Sequence, residues 1–276
     1  MLTLWVLTLW VLTLRVIRRM VAINVMVTLE YRGAFLVYMI NTVAAPLVSL
    51  LVWLTVSEQG VSLPYNRSQL VTYYVLLGVV SMLTGTWGAS FLADDIRLGS
   101  LSKWLLRPSP FVAFWIGNNV GEKVVKLPLL LPLVGLVALA FSADLRLPAD
   151  PRAWLLFVLC LPLAAALAFL LDYVTGSLAF WIQDVESLDR VRRLVGAFLA
   201  GQFVPLALFP PALLPLLEAL PFRYTLSFPL EVLTGSLSAE ATARGMLWQI
   251  GYCLGLWACY RLMWHFGLKS YTAPGG

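Results

Sequence analysis

Charge is what this chain has least of. Asp, Glu, Lys and Arg make up 12% of its 276 residues, about half the usual share of a soluble domain, against 61% hydrophobic residues and a mean hydropathy of +0.86. A water-soluble globule is excluded, and the chain reads as an integral membrane protein. Histidine is nearly missing: His265 stands alone at the end of an apolar stretch, so one chain cannot build a histidine-based metal site or catalytic pair. The three cysteines, Cys160, Cys253 and Cys259, lie inside apolar stretches, where a thiol acts as a small hydrophobe without metal-ligand company. None of the four lysines follows a Gly-rich turn, and G-x-x-x-x-G-K-[ST] is absent, which excludes ATP hydrolysis in the P-loop manner on this chain. H-E-x-x-H and G-x-S-x-G are missing too, and with them the commonest hydrolase chemistries.

Present instead are six apolar stretches, at about 33–56, 70–93, 122–142, 153–181, 194–209 and 246–266, five of them near the roughly 20 residues a membrane helix needs and 194–209 somewhat short of that. No connection between them is long enough for a separate soluble domain. The expected architecture is all-α integral membrane, a single transmembrane domain over residues 1–276 with a six-span core at 33–266. Ahead of the core, residues 1–14 form a repeat extension, Leu2-Thr3-Leu4-Trp5-Val6 recurring as Leu7 to Val11 and, with Arg15 for Trp, as Leu12 to Val16. Arg15, Arg18 and Arg19 follow this apolar run, the reverse of a signal peptide, so a cleaved leader is not expected. Residues 15–30 mix Arg with Val, Ile and Met at helical spacing and read as an interfacial helix.

Orientation follows from Lys and Arg, which favour short cytoplasmic loops. With both termini in the cytoplasm, fourteen of the nineteen basic residues fall inside and only Arg67, Arg146, Arg152, Arg223 and Arg244 outside. The net charge of +5 is thereby accounted for by topology and anionic lipid, and no nucleic-acid partner is implied. The expected location is the cell (inner or plasma) membrane, with the chain passing through it several times.

The densest cytoplasmic segment runs from Asp94, Asp95, Ile96, Arg97, Leu98, Gly99, Ser100 and Leu101 to Arg107. Its apolar residues keep a partly helical period, and Pro108 follows, which predicts a short amphipathic helix. Such a helix either connects two spans or docks a soluble partner. The second cytoplasmic connection, Gln183 to Arg193, has acids first and bases last, the order a helix dipole favours. After the fifth stretch, prolines 205, 210, 211, 215 and 221 cut the chain into pieces too short to cross. These read as short re-entrant extracellular helices between spans five and six, covered by protein or lining a pathway.

Asp172 is the one acid set well inside a span, a functional candidate because an ionisable group there is costly. Tyr173, Thr175 and Ser177 nearby offer an alternative, a structural polar contact. Glu122 and Lys126 stand at i and i+4 and predict a local ion pair. Trp87 and Phe91, with Phe198, Gln202 and Phe203, are candidates to face an amphiphilic substrate, although buried packing is the more frequent fate of such residues.

In these residues the chain resembles the ABC-2-type permeases, membrane subunits of ATP-binding cassette exporters. The likeness is carried by Leu29 to Phe35, by Ile96-Arg97-Leu98-Gly99-Ser100-Leu101 with Leu105-Leu106-Arg107-Pro108, and by Gly201-Gln202-Phe203-Val204-Pro205-Leu206-Ala207-Leu208-Phe209-Pro210. Leu220-Pro221-Phe222, Phe228-Pro229 to Gly235, Gly267 to Tyr271 and Gly275-Gly276 continue it, while residues 1–14 lie outside it. The resemblance implies a permease dimer, as a homodimer or with a related subunit, and two separate ATPase subunits that hold ATP and Mg; this chain then needs no cofactor and is not itself an enzyme. It implies that Asp94 to Leu101 form a coupling helix that docks on the ATPase, and that substrate leaves by alternating access. A self-contained channel or secondary transporter is the alternative, and would need polar groups such as Asp172 along the midplane. A lipid-modifying membrane enzyme would need the catalytic constellations that are missing. Drugs, peptides, lipids and glycans are not distinguished as substrates by an apolar, aromatic pathway.

Overall fold

A backbone in lipid has to satisfy its own hydrogen bonds, and among the described residues every regular element is a helix. The structure, a computed structural model, describes residues 2–61, 63–107 and 111–271, with side chains from Leu14 onward except those of Ile17 and Arg32. In chain order the helices are α1 (Leu2–Glu30), α2 (Arg32–Glu58), α3 (Arg67–Thr84), α4 (Gly88–Arg97), α5 (Leu101–Leu105) and α6 (Phe111–Ala140). They continue with α7 (Pro151–Ser177), α8 (Val185–Leu199), α9 (Leu214–Glu218), α10 (Ser227–Leu233) and α11 (Ala239–Ser270). Four stretches, Gly33–Glu58, Arg67–Arg97, Phe111–Ala140 and Pro151–Phe180, are long and apolar enough to cross a membrane.

Several boundaries differ from those expected. One continuous helix, α1, covers both the repeat and the predicted interfacial segment. It lies along α6, where Asn24 donates to Asn118 Oδ1 at 3.0 Å and a Cβ on Gly121 would come within 3.0 Å of the Val21 backbone. That packing explains why α6 starts at Phe111 rather than near 122: its polar first half finds partners in α1 and so stays helical. The stretch expected at 194–209 is not one helix. The helix there begins at Val185 and ends at Leu199, where Gly201, at φ +81°, turns the chain. A Cβ on Gly201 would sit 2.7 Å from Tyr73 Oη, so glycine is required both by conformation and by space. α11 has the length to cross, 32 residues, but its Trp, Tyr and Gln make it less apolar than the other four stretches.

Local chemistry sets the helix ends. Asn66 accepts from Gln69 N at 2.8 Å while Gln69 Oε1 accepts from Asn66 N at 2.9 Å, a capping box that starts α3. Arg67 then bridges Glu58 at 2.9 Å and Asp144 at 2.8 Å, joining the turns at this end of α2, α3 and α6. Asp184 accepts from Ser187 N at 3.0 Å and starts α8, so the acids-first order does serve a helix start. Pro108, expected to stop the docking helix, and the terminal Gly275-Gly276 lie outside the described residues.

Two cores result. The larger packs α2, α3, α6, α7 and α10 through residues such as Leu50, Leu70, Leu77, Leu130, Leu167 and Phe228. A smaller aromatic one joins α4, α5, α6, α7 and α11 through Leu92, Ile96, Leu101, Phe111, Tyr173 and Tyr260. Lipid tails are as apolar as these side chains, so close van der Waals packing holds the helices together more than any gain from leaving water.

Candidate functional site

The long stretch Arg67–Arg97 is broken once, at Gly85-Thr86-Trp87 between α3 and α4. Gly85 is confined to glycine by its own turn, since a Cβ there would meet Ser81 O at 2.6 Å. A break at membrane depth strands backbone groups that water cannot reach. Here neighbouring side chains take them up. The Gly85 carbonyl accepts from Lys123 Nζ at 2.9 Å, and the Thr86 carbonyl accepts from an Arg193 guanidinium nitrogen at 2.5 Å.

On the far side of the break, Asp172 of α7 receives the start of α4. Its Oδ2 accepts from Gly88 N at 2.8 Å and from Thr86 Oγ1 at 2.6 Å, which makes it an N-terminal cap supplied by another helix. Arg192 pairs with Oδ1, and Arg193 approaches Oδ2 at 3.4 Å. Oδ2 thus takes three donors and Oδ1 one. Asp189 completes the cluster, pairing with Arg192 at 2.6 Å and with Arg193 at 2.8 Å. Two acids and two arginines balance in charge, and both carboxylates are buried. Burial pushes the Asp189 carboxyl up, but the two guanidinium groups outweigh it and hold the carboxyl below its ordinary value.

A second polar cluster faces the break from α6. Glu122 pairs with Lys126, as their spacing predicts, and also accepts from the Trp87 indole. Lys126 lies 4.0 Å over the Tyr38 ring. These groups, with Lys123 and Arg193, line a cavity of about 430 Å³. A neighbouring cavity of about 310 Å³, reached by Asp172, Arg192 and Gln202, shares Ser81, Gly85, Thr86 and Arg193 with the first. The helix break therefore stands between two polar cavities.

At its other end, α4 carries the segment predicted to dock. Asp94 to Arg97 are its last turn, and Gly99, at φ +80°, reverses the chain as the residue after the helix cap. Ser100 donates to Asp95, and in the first turn of α5 Ser102 N donates to Gly99 O at 3.2 Å. Ile96 and Leu101 are buried in the aromatic core and anchor the turn from below. Asp94, Arg97 and Leu98 point outward; Arg97 pairs with Asp94 at 3.1 Å, and Leu98 is 68% exposed. Arg107 lies beyond α5 with its guanidinium 4.1 Å over Trp104. The expected single amphipathic helix is thus two short helices with a glycine turn between them.

The five residues suggested as a substrate path are not brought to one place. Trp87 lines the first cavity and Gln202 the second, while Phe91, Phe198 and Phe203 line neither. Phe91 packs on Trp87 and Trp115, and Phe198 on Phe203. The Phe203 carbonyl is held by Trp53 at 3.1 Å and by Tyr74 at 2.8 Å.

Sequence reasoning singled out Asp172 but not Thr86, Asp189, Arg192 or Arg193. The available signal was Asp189 placed three and four residues before two adjacent arginines, next to a span holding an otherwise unmatched acid. Another buried pair, Arg223 with Glu231 at 2.7 Å, ties the 3-10 turn before α10 to that helix, and no sequence spacing pointed to it. Among the described residues no cluster of His, Cys, Asp and Glu suits a metal ion. Residues 42–275 match a family model described as ABC-2 family transporter protein, and no curated protein matches the chain.

Proposed function

The chain belongs to the ABC-2 transporter family, and we propose from that premise that it is the permease subunit of an exporter in which α4 is the lever of alternating access. Family membership implies an ATP-binding partner and a membrane location. The finer reading is a pair of permeases with two ATPase subunits holding ATP and Mg, both termini cytoplasmic, and six spans per chain. In it residues 194–209, the end of α8 with the turns after it, form the fifth crossing region, α11 the sixth, and the short helices α9 and α10 re-enter from outside.

One observation carries this reading. α4 joins two different worlds within ten residues: an exposed turn at Arg97-Leu98-Gly99, and a buried cap on Asp172 between two polar cavities. ATP can shift a conformational equilibrium only through contacts that differ between its two states. A partner that moves the exposed turn moves α4 as a rigid body, because Ile96 and Leu101 fix the turn to it. The motion then reaches the break at Gly85-Thr86-Trp87, where the backbone is already free of helix geometry. Arg192 and Arg193 carry the same displacement to α8.

The contrary reading, a channel or secondary transporter working without ATPase, needs an ionisable group able to exchange a proton or ion. Asp172 counts against it, since two arginines, a backbone N–H and a hydroxyl hold its carboxylate as a structural cap and ion pair. Replacing Arg97 by Glu and Leu98 by Asp tests the lever: the variant should insert normally but lose most substrate-stimulated ATPase activity of the assembled complex. Unchanged turnover would remove the lever from its assigned place.

A further inference from the structure

A groove of about 800 Å³ lies away from both polar cavities, between the start of α6 and the C-terminal half of α11. Its composition is unusual for this chain. Arg107, Arg261, His265 and Lys269 line it together with Trp104, Trp257 and Trp264, and no acid does. Among the described residues Arg107, Arg261 and Lys269 make no ion pair, so all three charges of the groove are open to an anion. Their only close companions are rings: Trp104 under Arg107 at 4.1 Å, Trp257 beside Arg261 at 5.7 Å and Phe266 beside Lys269 at 5.4 Å.

The cations of α11 follow a rule of spacing. Trp257, Arg261, His265 and Lys269 recur every four residues, which places them in one row along the helix. Tyr260, Trp264 and Leu268 form the adjacent row and the groove floor, where Trp264 stacks on Phe111 at 5.6 Å. The row from Trp257 to Lys269 rises about 18 Å, more than half the roughly 30 Å thickness of the hydrocarbon. Its aromatic end therefore sits at acyl-chain depth when its cationic end sits among head groups.

We infer that this groove is a binding site for an anionic phospholipid, with the phosphate held by Arg107, Arg261 and Lys269 and one acyl chain lying over Trp257 and Trp264. Arginine and lysine beside tryptophan are suited to this ligand: guanidinium and ammonium groups bind phosphate oxygens, and indole rings favour the boundary between head groups and hydrocarbon. A water-soluble subunit could meet only the tip of the row, whereas a lipid matches its whole length. The bound lipid would also bridge the docking arm to α11, since Trp104 of α5 packs on Phe111 and Ser102 contacts Tyr271 Oη at 3.2 Å.

The test uses the full chain in phosphatidylcholine vesicles and reads quenching of its tryptophans by brominated lipids. Brominated phosphatidylglycerol should compete better than brominated phosphatidylcholine, by roughly fivefold or more for each cation engaged. That preference should vanish in R107Q/R261Q/K269Q and persist in R107K/R261K/K269R, which keeps the charges and guards against a folding defect. Equal quenching by both lipids, or a preference that survives the Gln variant, overturns the proposal. So does loss of the preference on adding millimolar inorganic phosphate, which would make the ligand a free anion. Loss of the ATPase partner from the Gln variant with lipid preference intact would assign the groove to that protein instead.

Discussion

The backbone N–H of Gly88, first residue of α4, donates to the buried carboxylate of Asp172 at 2.8 Å, so one helix is capped by a side chain 84 residues further along the chain. The same carboxylate takes Arg192 and Arg193 from α8. Three elements thus meet on two oxygen atoms, which gives the site a sharp stability signature.

Asp172→Ala uncaps α4 and leaves Arg192 and Arg193 to share Asp189 as their one acid, and breaking a buried pair from one side costs about 3–5 kcal/mol. Thermal unfolding in mild detergent should show a large drop in Tm for D172A. The double variant D172A/R192A should fall by clearly less than the sum of the single losses, because the second change removes a charge the first had stranded. Additive losses would mean that the two residues do not act as a pair.

Gly99 sits at φ +80°, where a Cβ costs about 1–2 kcal/mol for most residues and less for Asn. Substrate-stimulated ATPase activity of the complex should therefore fall in the order Gly99, G99N, G99V, with the last reduced several-fold. Amounts of permease in the membrane should stay level across the series. Equal activity in all three would show that the geometry of this turn does not matter for coupling.

Asp189 provides a pH test. Its folded-state carboxyl lies below the usual value despite burial, because Arg192 and Arg193 pair with it. The stabilisation is present in full above the unfolded value of about 3.9, and is lost as pH falls through the folded one. Relative to the wild type, D189N should have a lower Tm at pH 7 and at pH 5 by similar amounts, and the gap should close below about pH 4. A gap that already closes between pH 7 and pH 5 would contradict the pairing.

How much of this was legible beforehand depended on whether the signal was local. Hydropathy over some twenty residues located α2 and α7 to within about four residues at each end, because such helices are specified by their own composition. The start of α6 was not legible: Asn118 and Asn119 resemble a loop until Asn24 and Lys123 are known to meet them. The helix break at Thr86 left only a faint mark, since its stranded carbonyls are satisfied by residues 38 and 107 positions away. Asp172 could be named as costly, yet its partners come from a segment whose order of charges fitted an ordinary helix start. Between Asp94 and Arg107 the helical period of the apolar residues was visible in one short stretch, whereas the turn at Gly99 that divides it into α4 and α5 was not. Where Trp87, Phe91, Phe198, Gln202 and Phe203 lie relative to one another is set by tertiary packing, which no local pattern encodes.

The most direct measurement is purification of the tagged protein from its own cell in mild detergent, with its partners identified and counted, alongside the R97E/L98D variant. The account predicts one ATP-binding subunit per permease with the wild type, and loss of that subunit from the variant although the permease is still present and folded. Recovery of the wild-type chain without an ATPase, active in liposomes in the absence of ATP, would contradict it.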